Sequence, residues 1–541
     1  MIGLYNGKIY TADGGFAEAV VLDAERIVHM GDSTAVLKKL SAEDEKIDLA
    51  GRLVLPGFID SHAHGPMSLS QIIGRIDLAG VETKEEYLQL VWDFVKQNPD
   101  KEIYAGLGWI NPAFDSLGPD KESLDEICSE KPVVLRSGDC HSVWTNTKAV
   151  ELLGITPDTP DPEGGCIERN EDGSIRGTFR DQAQNGPLSL IPEPAVEEYK
   201  DCIRVFQDKM TGLGVTAVFD PMVDAGSNCH KAYREMNEAG ELKIRFGLAY
   251  NSDPEDPMAL LPLYEREKDS GKGMLSEGTF VKVFIDGVVE GVTALLKDEY
   301  CNEPGYHGEA LWKQDALNAF CAAVDALGYD LHFHAIGDGA TAQVIEAMAY
   351  AHAQNGPRER NTVIAHMQIV DPADYPKLKE LGIRVSANPY WFVKEPGYFY
   401  GIEKPFLGER AETEYPMKTF FDLGLVVSGG SDFAVTPRPY PPDGMQFAML
   451  RCMPEQDPED LSLVLNPPER ITLAQAIDVF TINGAITMGI EDVTGAIKPG
   501  MAADLVVMEQ DLFETDPREF VKTEVYMTIA DGKIVYRKDR S

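Results

Sequence analysis

The sequence predicts an α/β protein: a closed (β/α)8 barrel of the TIM type, a small β-sandwich built from both termini, and an inserted subdomain after the first barrel strand. Three observations carry this. Eight β-rich segments recur with helix-patterned stretches between them. Short β-type segments also stand at both ends of the chain. The interval between the first two barrel segments far exceeds what one crossover helix needs.

At the N-terminus the β-type runs are Leu4 to Thr11, Ala17 to Met30 and Lys46 to Leu55, punctuated by the turn signals Asn6-Gly7 and Asp13-Gly14-Gly15. At the C-terminus, Gly495-Ala-Ile-Lys-Pro-Gly500 leads into Ala503 to Met508. Glu524 to Ala530 then turns through Asp531-Gly532 into Lys533 to Arg537. Neither set forms a stable sheet unaided, so residues 1–55 and 495–541 are expected to share one sandwich around a barrel domain of residues 56–494.

The barrel segments are Leu53 to Ile59, Gly214 to Asp220, Leu242 to Tyr250, Thr279 to Asp286, Tyr329 to Ala335, Thr362 to His366, Ile383 to Asn388 and Leu425 to Asp432. Helical patterns such as Trp312 to Leu327, Thr341 to Ala353 and Pro372 to Leu381 separate them, and that alternation implies a parallel sheet. Residues 68–190 are assigned to the insertion. They contain β-type runs at Glu102 to Trp109 and Val133 to Gly138 and a hairpin pattern from Cys166 to Gly177. Insertions at a barrel mouth shape the substrate pocket.

Composition narrows the partners. The 541 residues are 43% hydrophobic and 26% charged, with 49 Lys and Arg against 89 Asp and Glu, a formal net charge of −40. Such a surface repels phosphate backbones and anionic lipid, which argues against nucleic acid and membranes and leaves a small-molecule substrate. No basic-then-apolar leader opens the chain and no apolar stretch is long enough to span a bilayer, so a cytoplasmic protein is expected. The eight cysteines contain no Cys-x-x-Cys pair and read as reduced thiols. A homodimer is the base-rate expectation for assembly.

The chemistry gathers where the first barrel segment runs out, at His62-Ala63-His64. Side chains at i and i+2 of an extended segment project to one face, and neutral imidazole is the commonest transition-metal ligand. Further polar residues fall at or near the C-terminal ends of later strands: Lys282 in the fourth, His332 and His334 in the fifth, His366 in the sixth and Asp432 in the eighth. Barrel active sites are assembled there from different strands. Taken singly, Lys282 is also readable as an ion-pairing residue, His366 as a core histidine and Asp432 as a helix cap; their coincidence favours a shared metal site.

The runs Pro56-Gly-Phe-Ile-Asp-Ser-His-Ala-His64, Gly214 to Val218, Val281 to Gly287, His334-Ala-Ile-Gly-Asp338, His366-Met-Gln368, Ser428-Gly-Gly-Ser-Asp432 and Gly495 to Asp504 resemble the amidohydrolase superfamily, in particular the group that includes N-substituted formamide deformylase. The resemblance covers almost the whole chain. It implies one or two divalent metals, most often zinc, with His62, His64 and Asp432 on the more buried ion and His334 and His366 on the more exposed one. Lys282 would bridge both as an N-carboxylated lysine, because an ammonium has no lone pair whereas a carbamate offers two anionic oxygens. With Lys282 unmodified, a single-metal site of His62, His64, His334 and Asp432 is the better reading.

The reaction so implied is hydrolysis of an amide-type C–N bond by metal-activated water, with Asp432 as general base and then general acid. An N-substituted formamide is the nearest analogy for the substrate. Cyclic amides, N-acyl amino acids and deaminable rings remain alternatives on the same scaffold, and a non-catalytic binding protein is the contrasting class. Two positions depart from the family pattern: Ala365 stands where a Glu usually precedes the sixth-strand histidine, and Gly339 follows Asp338 where an Arg is common. The segment Asp139-Cys140-His141 with Asn146 resembles the group's approach to the active site, which implies His141 as a catalytic residue bonding the substrate carbonyl or tetrahedral oxyanion; candidate pocket-lining aromatics are Trp109, Trp144, Tyr390, Trp391 and Phe392. By strand parity His332 shares a face with His334 and is a candidate supporting residue.

Overall fold

A computed structural model describes residues 1–70, 73–138, 141–162 and 165–538. The chain divides into two compact units, one of Met1–Gly65 with Ile203–Ser541, the other of Pro66–Cys202.

The first unit holds an eight-stranded sheet in which strands adjacent in sequence are neighbours in space. Its strands are Phe58–Asp60, Val215–Val223, Arg245–Asn251, Leu275–Phe284, Asp330–Ala335, Val363–His366, Arg384–Ala387 and Val427–Gly429, paired in parallel throughout. Past the last ladder, the Ser61 N–H donates to the Gly429 carbonyl at 3.0 Å, the Asp432 N–H to His62 at 2.7 Å and the His64 N–H to Phe433 at 2.9 Å. Main-chain bonds thus draw the first strand's exit to the eighth's, and the barrel is nearly closed. Ile59, Ala217, Phe219, Ala249, Phe280 and Val363 form a buried cluster with Ala485 and Met488 of a late helix.

The segment Leu53 to Ile59 is not one strand. Leu53–Pro56 belongs to a different sheet, and the barrel strand starts at Phe58. The break falls at Gly57, where a Cβ would stand 2.2 Å from Thr216 Oγ1, so the chain passes the second strand only without a side chain.

Leu53–Pro56 sits in a six-stranded sheet between strands from the two ends of the chain. Lys8 pairs with Leu53 in parallel on one side, and Val506 pairs with Leu55 antiparallel on the other. A four-stranded sheet of Ile2–Tyr5, Ala19–Asp23, Arg26–Gly31 and Glu45–Asp48 accompanies it. Leu4, Val20, Ile27, Val54, Leu505 and Ile529 meet in one buried cluster, so removing either terminus exposes apolar surface of the other. Arg245 of the third barrel strand reaches Asp504 at 2.9 Å and Asp531 at 2.6 Å, an ion pair shielded from solvent that pins the C-terminal strands.

The second unit has its own six-stranded sheet. Helix Lys84–Gln97 is started by a capping box in which Thr83 accepts from the Glu86 N–H while the Glu86 side chain accepts from the Thr83 N–H. Its core clusters Trp109 and Trp144 with Tyr87, Val91, Leu124 and Leu135. Among the described residues no helix is long and apolar enough to cross a membrane.

Candidate metal centre and adjoining cavity

His62 and His64 leave the first barrel strand, and Asp432 leaves the eighth. One ligand atom from each lies within 4.8 Å of the others, a set suited to hold a metal ion. Asp432 Oδ1 is 3.1 Å from His64 Nε2 and 3.5 Å from His62 Nε2. Gly430 makes this approach possible: a Cβ there would lie 2.5 Å from the Cβ of His62. Asp432 and His366 both hold left-handed backbone, with φ of 54° and 75°, conformations that cost a non-glycine residue and that cluster at functional sites.

The remaining candidate metal ligands, His334, His366 and Lys282, lie at the same end of the barrel. The His366 ring centroid is 4.9 Å from that of His62 and 4.6 Å from that of His334. Lys282, paired in register with His332, is fully buried; its Nζ has no hydrogen-bond partner.

Hydrogen bonds fix which ring nitrogens carry lone pairs. The Asn388 amide donates to the Gly430 carbonyl at 3.0 Å, so its Oδ1, 2.8 Å from His366 Nδ1, is an acceptor. His366 Nδ1 therefore bears the proton and Nε2 is free to ligate. His334 Nε2 donates to the Gly287 carbonyl at 3.1 Å, which leaves Nδ1 with the lone pair. His62 Nδ1 meets His332 Nε2 at 3.1 Å, while His62 Nε2 has no hydrogen-bond partner. An unpartnered buried imidazole nitrogen and an unpartnered buried amine are costly in isolation, and their lone pairs fit a donor set for a cation.

Burial dominates the electrostatics. It drives His62, His332 and His334 well below the ordinary histidine range and His366 to about 4, so the imidazoles are neutral, the ligating form. Burial also pulls Lys282 down to about 7 against the opposing pull of Asp432 and Asp220. In Asp432 burial pushes upward, but the His64 hydrogen bond and the proximity of His366, His64 and Lys282 outweigh it and hold the carboxyl well below the usual carboxylate range.

Several supporting residues had no assigned role in the sequence. Asp60 is buried and accepts from the Ser431 N–H at 2.9 Å, the Ser431 hydroxyl at 2.5 Å and the His62 N–H at 3.2 Å, tying together the two loops that carry His62 and Asp432. Burial raises it to about 6. Asp286 accepts from the N–H groups of Ile336, Gly337 and Leu295 and shapes the turn after His334. Asp60 lies inside the motif run; Asn388 follows the seventh strand, where strand position was the available signal.

A cavity of about 440 Å3 opens beside the centre and is lined by His334, His366 and Asp432 together with Trp391, Tyr390 and Gln368. Trp391 stacks on His366 at 5.6 Å and 11°. Trp109 and Trp144 do not line it: both are fully buried in the core of the second unit, their indole N–H groups on the carbonyls of Leu135 and Asp120, so they serve packing rather than substrate contact. Phe392 is likewise buried, stacked on Tyr415. His141 lies on the surface of the second unit, 3.1 Å from Asp181; Asp139 and Cys140 fall outside the described residues. Asn146 caps the helix Thr147–Leu152.

A family model described as amidohydrolase family matches residues 45–536. The chain belongs to the amidohydrolase family. It is a hydrolase acting on carbon–nitrogen bonds. The chain is 29% identical to the putative amidohydrolase YtcJ of Bacillus subtilis (strain 168), over 99% of both chains. It is 25% identical to N-substituted formamide deformylase of Arthrobacter pascens, over 99% of this chain and 98% of that protein. A crystal structure of an uncharacterized metal-dependent hydrolase from Pyrococcus furiosus is similar at 27% identity and TM-score 0.77, over 94% of this chain and 99% of that one.

Proposed function

We propose that this amidohydrolase is metal-dependent and cleaves the amide-type C–N bond of a linear small molecule, with an N-substituted formamide as the nearest substrate class. The carrying observation is the convergence of His62, His64 and Asp432, with ligand atoms within 4.8 Å, at a cavity that His334 and His366 also line. The relatives named above, one a formamide deformylase and one a metal-dependent hydrolase, support it.

His62 Nε2, His64 and Asp432 would hold one divalent ion, and His334 Nδ1 with His366 Nε2 a second; zinc suits this nitrogen and oxygen donor set. When bound, such an ion polarises the scissile carbonyl and supplies a water that ionises near neutral pH. Lys282 supports a two-ion reading. As a neutral amine it can take up CO2, forming an N–C bond and releasing a proton, and its unpartnered Nζ would become part of a carbamate anion.

Asp432 is ionised at neutral pH, and its Oδ1 faces both histidines. Its other oxygen takes the proton of the attacking water as the C–O bond is made, and returns it to the amine nitrogen as the C–N bond breaks. Trp391, held flat against His366, offers the substituent an apolar wall. In the same reading the two terminal sheets form a sandwich that braces the barrel, and residues 66–202 form the insertion that follows its first strand.

Metal analysis of the purified protein, with a hydrolysis screen over N-formyl, N-acyl and cyclic amides, tests the proposal. Metal-stimulated release of an amine is expected. Protein free of divalent metal and inert with and without added Zn2+ would overturn it.

A further inference from the structure

Away from the ligand set, the cavity wall changes character. Glu290, Glu395 and Glu403 line it together with Tyr398 and Tyr415, and no Lys or Arg is among the lining residues. Glu403 is 3% exposed, and its Oε1 accepts from Gln368 Nε2 at 2.8 Å. The same amide reaches Oε1 of the fully buried Glu414 at 3.1 Å, and Glu414 Oε2 has no partner. Gln368 lies two residues beyond His366, so one short segment joins the ligand set to the carboxylates. Glu290 accepts from the Tyr398 hydroxyl at 2.6 Å.

Among the described residues, neither Glu290 nor Glu403 is in an ion pair. The nearby Arg451 guanidinium spends its Nε and Nη2 on the main-chain carbonyls of Leu465 and Glu414, and its charge acts on the Glu414 carboxyl. Glu290 and Glu395 are exposed to solvent and Glu403 is buried; a buried carboxylate outside any ion pair is costly unless it takes up a proton or something positive joins it. Burial, and after it Glu290, push Glu403 up to about 8, as expected of such crowding.

We infer that this end of the cavity binds a cationic group, an ammonium or guanidinium, on the substrate arm remote from the scissile bond. The inference rests on the amide-hydrolase reading above and narrows it to N-acyl derivatives of diamines or of amines bearing a second basic group. Glu290 and Glu395 provide charge pairing, joined by Glu403 once a cation favours its ionised form, and the aromatic rings cation–π attraction. The cavity's volume suits a small ligand of that kind, and the −40 formal charge draws cations towards the protein.

The test compares three ligands on the full chain supplied with Zn2+: the methanesulfonamides of a five-carbon chain ending in ammonium, methyl or carboxylate, which are not amide substrates. Calorimetry is expected to rank the ammonium compound at least about tenfold above the methyl compound and the carboxylate last. Glu403→Gln and Glu290→Gln, each checked for an unchanged melting temperature, are expected to shrink the ammonium-to-methyl ratio at least about threefold. Equal binding of ammonium and methyl compounds, or a preference for carboxylate, overturns the inference. The corresponding acetamides separate the two claims. Hydrolysis of all three at one rate leaves the hydrolase reading standing and removes this one, whereas ammonium-selective binding without any hydrolysis does the reverse.

Discussion

His332 Nε2 lies 3.1 Å from His62 Nδ1, deep in the barrel, with the His332 ring also packed 5.2 Å from Phe219. For His62 to offer the lone pair of Nε2, its Nδ1 must carry the proton and donate it to His332. With His62 as a ligand, the fifth strand would set the tautomer of a residue on the first.

Removing that acceptor while keeping the volume isolates its role. His332→Phe is expected to weaken zinc binding by roughly 10- to 100-fold, read by chelator competition. Unchanged affinity would show that His62 needs no such partner.

Asp432→Asn keeps the shape of the side chain but removes the base. Turnover of the best amide is expected to fall by about 10²- to 10⁴-fold, with metal content measured in parallel to separate ligation from proton transfer. A variant as fast as the parent at equal metal content would dismiss the proton-shuttle role.

Lys282 makes the stability of the metal-free, bicarbonate-free protein depend on pH. Folding lowers its pKa from the unfolded value near ~10.4 to about 7, so between these values the unfolded chain holds the extra proton. Stability from this group therefore rises as pH increases from 7 towards 10, and is lowest below 7. Urea unfolding at pH 7 and pH 10 is expected to show that rise in the parent relative to Lys282→Met; parallel behaviour of the two proteins would contradict it.

Ser431→Ala withdraws one donor from buried Asp60. The loss is expected to be about 1–3 kcal/mol in urea unfolding, with reduced metal affinity because Asp60 also accepts from the His62 N–H. Neutral behaviour in both measurements would mean that the two loops are held by their main-chain bonds alone.

The two tryptophans separate packing from recognition. Trp109→Ala empties a core site and is expected to cost about 3–5 kcal/mol in stability, whereas Trp391→Ala is expected to raise KM for N-aryl or N-alkyl amides with little change in melting temperature. Reversed outcomes would exchange their assignments.

The sequence by itself determined the strand–helix alternation and the strand ends that carry His62, His64, Lys282, His334, His366 and Asp432. Periodicity and turn residues are local, and each ligand type is tied to its own motif. Only the tertiary structure decided that Leu53–Pro56 and Phe58–Asp60 serve different sheets, because an apolar run does not reveal its partners. Tertiary packing alone also put Trp109 in a core, and Asn388 against His366. It gathered Glu290, Glu403 and Gln368 on one cavity wall, although Gln368 and Glu403 lie 35 positions apart. Contacts of that kind depend on how distant segments close on one another, and a local pattern carries no record of that closure.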